Sequence, residues 1–314
     1  MIPVKRSENF YKECLPKVRG RLDLDVPMAK YSWFKTGGIA DVLFQPLDEE
    51  DLAEFLSNKP KEVPVTVIGA ASNIIIRDGG IDGVVIRASV GFAKIDLVDD
   101  LICVGSAAHD LTVARKARDA QLAGLEFLSG IPGTIGGGLS MNAGAYGKEF
   151  KDIFIDADVL DGDGGKHRLE ASDMGFGYRH CGVPKDWIFI AARLKGFKGS
   201  HEAITLQMKE IKRTREATQP THIATGGSTF RNLEIGKSRL SAWELIEKAG
   251  CRGLIRGKAQ VSELHCNFLI NKGGATSSDL EGLGEEIRRR VYEDSGVSLK
   301  WEIRRIGRTE RMLK

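Results

Sequence analysis

The chain has 314 residues, 42% of them hydrophobic, and its 46 lysines and arginines against 43 aspartates and glutamates leave a net charge of +3. This length predicts two or three domains with large buried cores, and the near balance of charges argues against a nucleic-acid partner. The five cysteines form no CxxC pair, which argues against a disulfide framework and a zinc site, and no metal site is expected.

The first third of the chain mixes one predicted helix with several short strands. Residues 1–20 are charged throughout, and no later stretch is long and apolar enough to span a membrane, so we expect a cytoplasmic protein without a membrane partner. Asp48–Asn58 has the pattern of an amphipathic helix. Three apolar runs bounded by turn residues predict strands: Val63–Ile68, Asn73–Arg77 and Gly83–Arg87. This mixture predicts an α+β fold.

A glycine-dense segment lies in the middle of the chain. Strand Leu101–Val104 and helix Asp110–Gln121 are predicted before it, and strands Ile153–Leu160 and Trp187–Leu194 after it. Eight of the 24 residues from 124 to 147 are glycine, which is too dense for a regular element and indicates a backbone that approaches a diphosphate closely. No dinucleotide-fold or P-loop fingerprint is present. On glycine density alone, a crossover loop without a ligand is an equally good interpretation.

A long helix and a domain boundary are predicted beyond residue 200. Ser200–Ala217 has a charged helical pattern that ends before Pro220, because proline cannot continue a helix. We place a domain boundary there. Two later segments, Ser241–Glu244 and Ser278–Glu281, match the capping-box pattern of a helix start.

Hydrophobic periodicity predicts the last helix and the last strand. Four residues at helical spacing form one apolar stripe after the second capping box: Leu280, Leu283, Ile287 and Val291. Residues 299–304 then alternate apolar and polar side chains, which predicts a half-buried strand with Glu302 on its polar face.

The glycine-dense segment from Gly130 to Gly147 resembles the flavin-binding signature of the UDP-N-acetylenolpyruvoylglucosamine reductase family. Five further segments resemble motifs of the same family, in the same order: Lys35–Gly38, Gly69–Asn73, Gly227–Asn232, Val261–Asn271 and Leu299–Arg304. A single short motif arises easily by chance, whereas an ordered set spread over residues 32–306 does not.

The resemblance implies an FAD-containing, NADPH-dependent oxidoreductase. It would reduce UDP-N-acetylenolpyruvoylglucosamine to UDP-N-acetylmuramate in peptidoglycan precursor biosynthesis, and so serve cell wall biogenesis, cell shape and cell division. We expect a monomer. We also expect non-covalent FAD, because related oxidases often attach flavin through a histidine and His109 lacks a glycine-rich loop of its own. Two alternatives stay open: an FAD-dependent oxidase of the same fold that acts on an alcohol or lactone, and an inactive nucleotide-binding module.

The fold implied by the resemblance is a two-part FAD-binding domain of the vanillyl-alcohol oxidase type plus a C-terminal α+β substrate domain. The expected boundaries are an N-terminal extension at 1–20, FAD subdomains at 21–90 and 91–217, the substrate domain at 218–298, and a segment at 299–314 that returns to the FAD domain. Some family members close the site with an inserted tyrosine loop. We find no equivalent here, so we expect an open or differently capped site.

Three residues take the catalytic roles that the resemblance implies. Reduction of an enol ether places negative charge next to the substrate carboxylate, so the site needs a cation and an acid. Arg179 corresponds to the cation, Ser228 to the proton donor and Glu302 to the third member. Without the resemblance, these residues would be read as a surface ion pair, a turn cap and a cross-strand partner.

Contacts to the cofactor and to the substrate are also implied. The cofactor contacts come from three glycine-containing motifs: Thr36, Gly37, Gly69, Ala70, Ala71, Ser72, Asn73, Pro132, Gly133, Thr134, Gly136, Gly137, Asn142 and Ala143. The substrate contacts are Tyr178, Asn232, Arg252 and His265. His265 lies in an apolar, strand-like segment, where a histidine satisfied within the core is an equally good reading.

The sequence departs from the family pattern at three places: the loop Gly69–Asn73, Thr218, and Leu233, which follows Asn232 where proline is common. Ala70 and Ala71 stand where glycine is usual, and we expect right-handed helical or extended backbone there, because alanine does not adopt positive φ cheaply. Thr218 stands where a basic residue would meet the substrate diphosphate. That task then falls to one of three arginines: Arg213, Arg215 or Arg252.

Overall fold

The computed structural model of the chain describes residues 8–235 and 238–309. The N-terminal extension predicted for 1–20 and the C-terminal segment predicted for 299–314 therefore fall partly outside the described residues. Helices and strands are interspersed through the whole described chain, so the predicted α+β class is confirmed.

Residues 8–86 form two helices and the first sheet. The elements are α1 Glu8–Cys14, β1 Arg21–Pro27, β2 Ile39–Gln45, α2 Glu49–Asn58, β3 Val65–Val67, β4 Ile74–Ile76 and β5 Ile81–Ile86. In the sheet β1-β2-β5-β3, β1 is antiparallel to β2, whereas β2 and β3 are parallel to β5. The three predicted strands are present: β3 and β4 are shorter than predicted, whereas β5 begins two residues earlier and ends one residue earlier. Helix α2 begins after Asp48, whose carboxylate accepts a hydrogen bond from Asp51 N.

Residues 90–218 are built around an antiparallel sheet of order β12-β11-β13-β7-β6. The elements are β6 Ile95–Val98, β7 Leu101–Gly105, α3 Asp110–Asp119, β8 Leu122–Ala123, α4 Ile135–Leu139, β9 Gly144–Ala145, β10 Lys148–Glu149, β11 Phe154–Leu160, β12 Lys166–Glu170, β13 Ile188–Lys195, β14 Phe197–Lys198 and α5 His201–Thr218. The predicted elements of this part are confirmed. Strand β12 was missed because its largely exposed sequence lacks apolar alternation.

The glycine-dense segment is more regular than predicted, because it contains α4. Ile135 and Leu139 are both fully buried and anchor this short helix at its two ends. At Gly138, an added Cβ would collide with the ring of Phe150. The glycine therefore permits close packing of a helix, and the expectation of a wholly irregular segment was wrong.

Residues 224–306 form the third part of the fold. The elements are β15 Ala224–Ser228, β16 Leu233–Ile235, β17 Ser238–Leu240, α6 Ala242–Lys248, β18 Ile255–Arg256, β19 Ala259–Val261, β20 Phe268–Asn271, α7 Ser277–Ser295 and β21 Arg304–Ile306. The sheet β15-β20-β19-β18 is antiparallel, and α7 packs on it. The predicted apolar stripe of α7 is confirmed, since all four of its side chains are fully buried.

Both predicted capping boxes were wrong, for different reasons. Helix α7 is capped by Thr276, two residues before the predicted start, in a reciprocal pair of hydrogen bonds with Asp279. Ser241 does precede α6, but its hydroxyl makes no capping hydrogen bond. The Ala242 N–H donates instead to Asn232 Oδ1 at 2.9 Å, so a distant amide replaces the local cap.

Replacing Thr276 with alanine is expected to destabilise the protein by about 1 kcal/mol, because the N–H of Asp279 loses its acceptor. Ser241→Ala is the matched control and should change the free energy of unfolding by a few tenths of a kcal/mol at most, since no capping bond is lost. Urea unfolding of the two variants measures the difference. Equal losses would contradict the assignment of the caps.

The chain returns at β21 to the first part of the fold. The predicted strand at 299–304 lies later than expected, at Arg304–Ile306, and it pairs in parallel with β4. Just beyond it, the buried Arg308 donates to Gly79 O at 3.0 Å and forms ion pairs with Asp41 at 3.4 Å and Asp82 at 2.6 Å. These contacts hold the returning segment against β2 and β5.

Three general features concern the described residues. None of their helices combines the length and apolar character that crossing a membrane requires. They contain no group of three or more histidine, cysteine or acidic side chains placed to hold a metal ion. All five cysteines are free thiols.

Candidate active site

The three parts of the fold meet at a cavity of about 1030 Å³. Its lining comes from the loop after β3, the glycine-dense segment, the ends of β15 and α5, and the segment before β21. Ligand pockets usually measure about 300–1,000 Å³, so this cavity accepts a ligand of dinucleotide size.

The first side of the cavity is the loop Gly69–Asn73, all of whose residues line it. The expectation for Ala71 was wrong: its φ is 51°, in the left-handed region. Ala71 is 4% exposed and its carbonyl accepts a hydrogen bond from Trp33 N at 3.3 Å, so packing outweighs the local preference of alanine. Asn73 ends the loop and donates from Nδ2 to Glu302 O at 3.3 Å.

The second side is Pro132–Gly137, where three of the five predicted cofactor contacts are glycine. A Cβ added to Gly69 would lie 2.6 Å from Thr134 Oγ1, so the two loops approach each other more closely than a larger residue would allow. A Cβ on Gly137 would meet only Thr134 Oγ1, at 3.5 Å. The two loops therefore present backbone to the cavity, as a cradle for an anionic diphosphate requires.

Arg179 and Glu302 form an ion pair at the cavity, with 2.8 Å between Nε and Oε1. Their side chains are only 17% and 11% exposed, so the pair is largely shielded from water. Arg179 Nη2 also donates to Gly144 O at 2.9 Å. The guanidinium is therefore held in one orientation by two elements that are distant in sequence.

A tight hairpin presents Arg179 to the cavity. Gly177 and His180 exchange two backbone hydrogen bonds of 3.1 Å, and Arg179 between them has a φ of 52°. Fully buried Asn142 supports the hairpin by donating from Nδ2 to Gly177 O and to Glu149 Oε2, both at 3.0 Å. The hairpin thus holds a left-handed backbone at the arginine, which costs about 1–2 kcal/mol for a residue with a Cβ.

Ser228 lies at the end of β15 and also lines the cavity. The pairing of β15 with β20 shifts register between Thr225 and Ser228, and Gly227 between them has a φ of 77°. The following carbonyl, Thr229 O, accepts a hydrogen bond from Glu302 N at 2.8 Å. The backbone segments that carry Ser228 and Glu302 are therefore joined by a hydrogen bond.

The cavity brings together all three residues predicted to be catalytic and most of those predicted to contact the cofactor. Three of the predicted cofactor residues do not line it: Thr36, Gly37 and Asn142. Thr36 is 3% exposed, and its hydroxyl has no hydrogen-bond partner among the described residues. Asn142 is occupied by the contacts that support the Arg179 hairpin.

None of the four residues predicted to contact the substrate lines the cavity. Asn232 caps α6, and Arg252 forms an ion pair with Glu247. The Tyr178 ring lies 5.1 Å from the Arg179 guanidinium carbon. His265 occupies a turn before β20, not a strand, and burial lowers the pKa of its imidazole. Their assignment to the substrate stays a prediction.

Two further polar residues line the cavity near the end of α5: Arg215, which was one of three candidates, and Tyr146, which the sequence analysis missed. Of the three candidate arginines, only Arg215 lines the cavity, and burial lowers the pKa of its guanidinium. Tyr146, in the glycine-dense segment, also lines the cavity and donates to Ile211 O at 3.3 Å. Burial raises the pKa of its phenol. The motif contained Tyr146, but nothing in the sequence placed it opposite α5.

Asp110, which the sequence analysis also missed as a cavity residue, is fully buried at the start of α3. Neither carboxyl oxygen has a hydrogen-bond partner among the described residues, and burial raises the pKa of this carboxyl well above its usual value. Acidic residues are common in the first turn of a helix, so the sequence did not indicate that Asp110 is buried at the cavity.

His109 lies closer to a glycine-rich loop than expected. It lines the cavity, pairs with Thr134 in an isolated bridge, and has its Nδ1 3.3 Å from Gly133 O. His109 therefore lies beside the loop Pro132–Gly137 in space, although along the sequence it has no glycine-rich loop of its own.

Comparisons with known proteins give a consistent result. The family model described as "UDP-N-acetylenolpyruvoylglucosamine reductase, C-terminal domain" matches residues 219–306, and the model described as "FAD binding domain" matches residues 40–170. The UDP-N-acetylenolpyruvoylglucosamine reductase of Paramagnetospirillum magneticum is 54% identical over 96% of this chain and 97% of that protein. Its counterpart in Parvibaculum lavamentivorans is 56% identical over 93% of each. The solved UDP-N-acetylenolpyruvylglucosamine reductase from Thermus caldophilus superposes with a TM-score of 0.79 at 32% identity, over 93% of this chain and 100% of that one.

Proposed function

This chain belongs to the UDP-N-acetylenolpyruvoylglucosamine reductase family, and we propose that it reduces UDP-N-acetylenolpyruvoylglucosamine to UDP-N-acetylmuramate with NADPH through bound FAD. It is an FAD-containing oxidoreductase of peptidoglycan precursor synthesis. This proposal rests on one observation: Arg179, Ser228 and Glu302 line the same cavity as two glycine-rich loops.

The residues present fit FAD. The loops Gly69–Asn73 and Pro132–Gly137 offer backbone amides and the Thr134 hydroxyl to a diphosphate, without bulky side chains in the way. When bound, FAD supplies the transfer of hydride from NADPH to the distal carbon of the enolpyruvyl group. We propose that NADPH and the sugar use the same space in turn.

Arg179 would bind the substrate carboxylate and stabilise the negative charge that develops next to it. Its Nε and Nη2 are held by Glu302 and Gly144 O, and we assign Nη1 to the substrate. A guanidinium that stays charged and is already oriented needs no reorganisation during the reaction, which is what makes such groups effective.

Ser228 would donate the proton that completes the reduction. A serine hydroxyl is a weak acid, so it depends on neighbouring positive charge and hydrogen-bond donors to stabilise its anion. Arg179 lines the same cavity and supplies that charge, while Glu302 balances Arg179 and is joined to the Ser228 segment through Thr229 O.

We propose that FAD is held non-covalently. The proximity of His109 to Gly133 makes this directly testable, because a flavin attached to that histidine would stay with the protein after acid precipitation. Release of all the flavin into the supernatant is the expected result. Retained flavin would favour an oxidase-like attachment.

Arg215 is the arginine that we propose meets the substrate diphosphate. Arg215→Gln is expected to raise the KM for the sugar about 10- to 100-fold with little change in kcat, since a hydrogen bond to a charged group contributes about 1.5–3 kcal/mol. Steady-state kinetics with varied sugar concentration measures this split.

Arg213→Gln is the matched control, because Arg213 lies two residues away on the same helix but is 78% exposed and paired with Glu210. Its KM should stay near that of the wild type. Equal KM changes in the two variants would remove Arg215 from its role and indicate a general electrostatic effect of α5.

The central test is anaerobic stopped-flow absorbance on the purified protein. Bound flavin is first reduced with NADPH, and UDP-N-acetylenolpyruvoylglucosamine is then added. Rapid reoxidation by the sugar is expected. Reoxidation by oxygen alone would favour an oxidase acting on an alcohol or lactone, and absence of flavin would contradict both readings.

We also propose domain boundaries, an oligomeric state and a cellular location for the protein. We retain the division into FAD subdomains at 21–90 and 91–217, a substrate domain at 218–298, and a returning segment from 299. The antiparallel pairing within the second and third sheets, and the pairing of β21 with β4, support it. We further propose a cytoplasmic monomer that serves cell shape and division and binds neither nucleic acid nor membrane.

A further inference from the structure

Residues Ser228–Phe230, called here the acid strip, lie against β20 along one edge, where Ser228 pairs with Phe268 and the next two residues are bound by Asn267. The Asn267 carbonyl accepts a hydrogen bond from Thr229 N at 2.7 Å. Its side chain then makes two more with Phe230: Oδ1 accepts from the N–H at 3.0 Å, and Nδ2 donates to the carbonyl at 2.9 Å. Asn267 and Phe230 are 4% and 1% exposed, so water does not compete for these bonds.

The other edge of the acid strip carries the segment that contains Glu302. Thr229 O accepts from Glu302 N at 2.8 Å, and Phe230 pairs with Trp301 in an isolated bridge. One short piece of backbone therefore holds Ser228 at its start and Glu302 at its side. Any shift of the strip moves both residues relative to Arg179.

The regular sheet does not hold the acid strip by itself. The ladder between β15 and β20 shifts register between Thr225 and Ser228, and Ser228 is the last residue of β15. Beyond that point the Asn267 side chain takes over the hydrogen bonds that a paired strand would supply. An asparagine suits this task because its amide both donates and accepts, as a peptide group does.

We infer that Asn267 is a positioning residue that sets the places of Ser228 and Glu302 for proton transfer. The inference rests on the proposed function, because it assigns Asn267 to the substrate-reducing half of the reaction. Asn267 does not line the cavity, so it acts through the acid strip and not on the substrate. A displacement of about 1 Å in a reacting group slows a reaction by about 100-fold, which sets the size of the expected effect.

The test compares the two half-reactions in Asn267→Ala. Flavin reduction by NADPH should proceed at nearly the wild-type rate. The limiting rate of flavin reoxidation at saturating sugar should fall about 30- to 100-fold, with little change in the sugar concentration that gives half the limiting rate. If this variant fails to fold, Asn267→Asp is measured instead, because it keeps an acceptor for Phe230 N and should show a smaller loss of the same kind.

Asn271→Ala is the matched control. Asn271 is also a buried asparagine of this region, and its side chain also bonds backbone: it donates to Phe34 O at 2.8 Å and accepts from Gly273 N and Ala275 N. Its side chain makes no hydrogen bond with the acid strip among the described residues. The control should lose comparable thermal stability but keep the reoxidation rate within a few-fold of the wild type.

Amide hydrogen exchange supplies a readout that does not depend on activity. In Asn267→Ala, exchange at Thr229, Phe230 and Glu302 should quicken by about tenfold or more, whereas Asn271→Ala should quicken exchange at Gly273 and Ala275. Wild-type reoxidation in Asn267→Ala, or an equal slowing in both variants, would overturn the inference.

The two proposals fail in distinguishable ways. If the sugar does not reoxidise wild-type flavin, the proposed function is wrong, and the exchange pattern then decides whether Asn267 fixes the strip. If wild-type flavin is reoxidised but Asn267→Ala matches it, the function stands and only the role of Asn267 is lost.

Discussion

Ser228→Ala should leave the reduction of flavin by NADPH nearly intact and slow its reoxidation by the enolpyruvyl sugar by about 100-fold or more. Proton donation by a positioned side chain contributes about 10²- to 10⁴-fold to a rate, and only the second half-reaction uses it. Ser228 lines the cavity at the end of β15, and the loss of a hydroxyl there creates little strain. Stopped-flow absorbance under anaerobic conditions measures both half-reactions on one sample.

Ser228→Thr is the companion variant, because it keeps a hydroxyl at the same Cβ. It should recover part of the reoxidation rate, limited by the extra methyl group. Loss of both half-reactions to the same extent in Ser228→Ala would take the serine out of its assigned role and indicate a defect in flavin binding instead.

Arg179→Gly and Arg179→Ala should both slow reoxidation by about 10²- to 10³-fold, since each removes the charge that stabilises the developing anion. The two variants should differ in stability. Arg179 has a φ of 52°, which costs a residue with a Cβ about 1–2 kcal/mol, and the extra backbone entropy of glycine offsets only about 0.5–1 kcal/mol. Urea unfolding should therefore find the glycine variant more stable than the alanine variant by about 1 kcal/mol.

The comparison separates the charge of Arg179 from the shape of its hairpin. Both variants also remove the ion pair between residues 179 and 302, so that loss cancels between them. A glycine variant that keeps the wild-type reoxidation rate would exclude the guanidinium from catalysis. One that is less stable than the alanine variant would contradict the backbone strain.

The sequence predicted the elements of this fold well wherever apolar periodicity was strong. Helix α2 follows from its amphipathic pattern, α5 from its charged pattern and the proline after it, and α7 from its apolar stripe, and the three catalytic candidates meet at one cavity. What failed was local geometry that distant residues decide. Asn232 caps α6 from ten residues away, and no pattern within that helix reveals it. At α7 two overlapping patterns compete, Thr276–Asp279 and Ser278–Glu281, and the fold uses the first.

In the site, too, the motifs identified candidate residues, but contacts with distant residues decide where several of their side chains lie. The resemblance identified residues by motif, and so it grouped Asn142 with the cofactor contacts, whereas the fold places this side chain behind the Arg179 hairpin. Ala71 has positive φ against its own preference because Trp33 and the core hold it. Arg215 was one of three arginines, and only the packing of α5 distinguishes it from Arg213.

The pairing of β21 with β4 has a consequence for the order in which the protein is completed during synthesis. The two strands are about 230 residues apart in the chain, as are Arg77 and Gly307 beside them. At about 5–20 residues per second, a ribosome delivers β21 roughly 10–50 seconds after β4. Until then β4 lacks its partner strand β21, and Glu302 has not been added to the chain. An exposed strand edge can pair with other strands, so β4 and the neighbouring loop Gly69–Asn73 are open to wrong pairing until the end of the chain arrives.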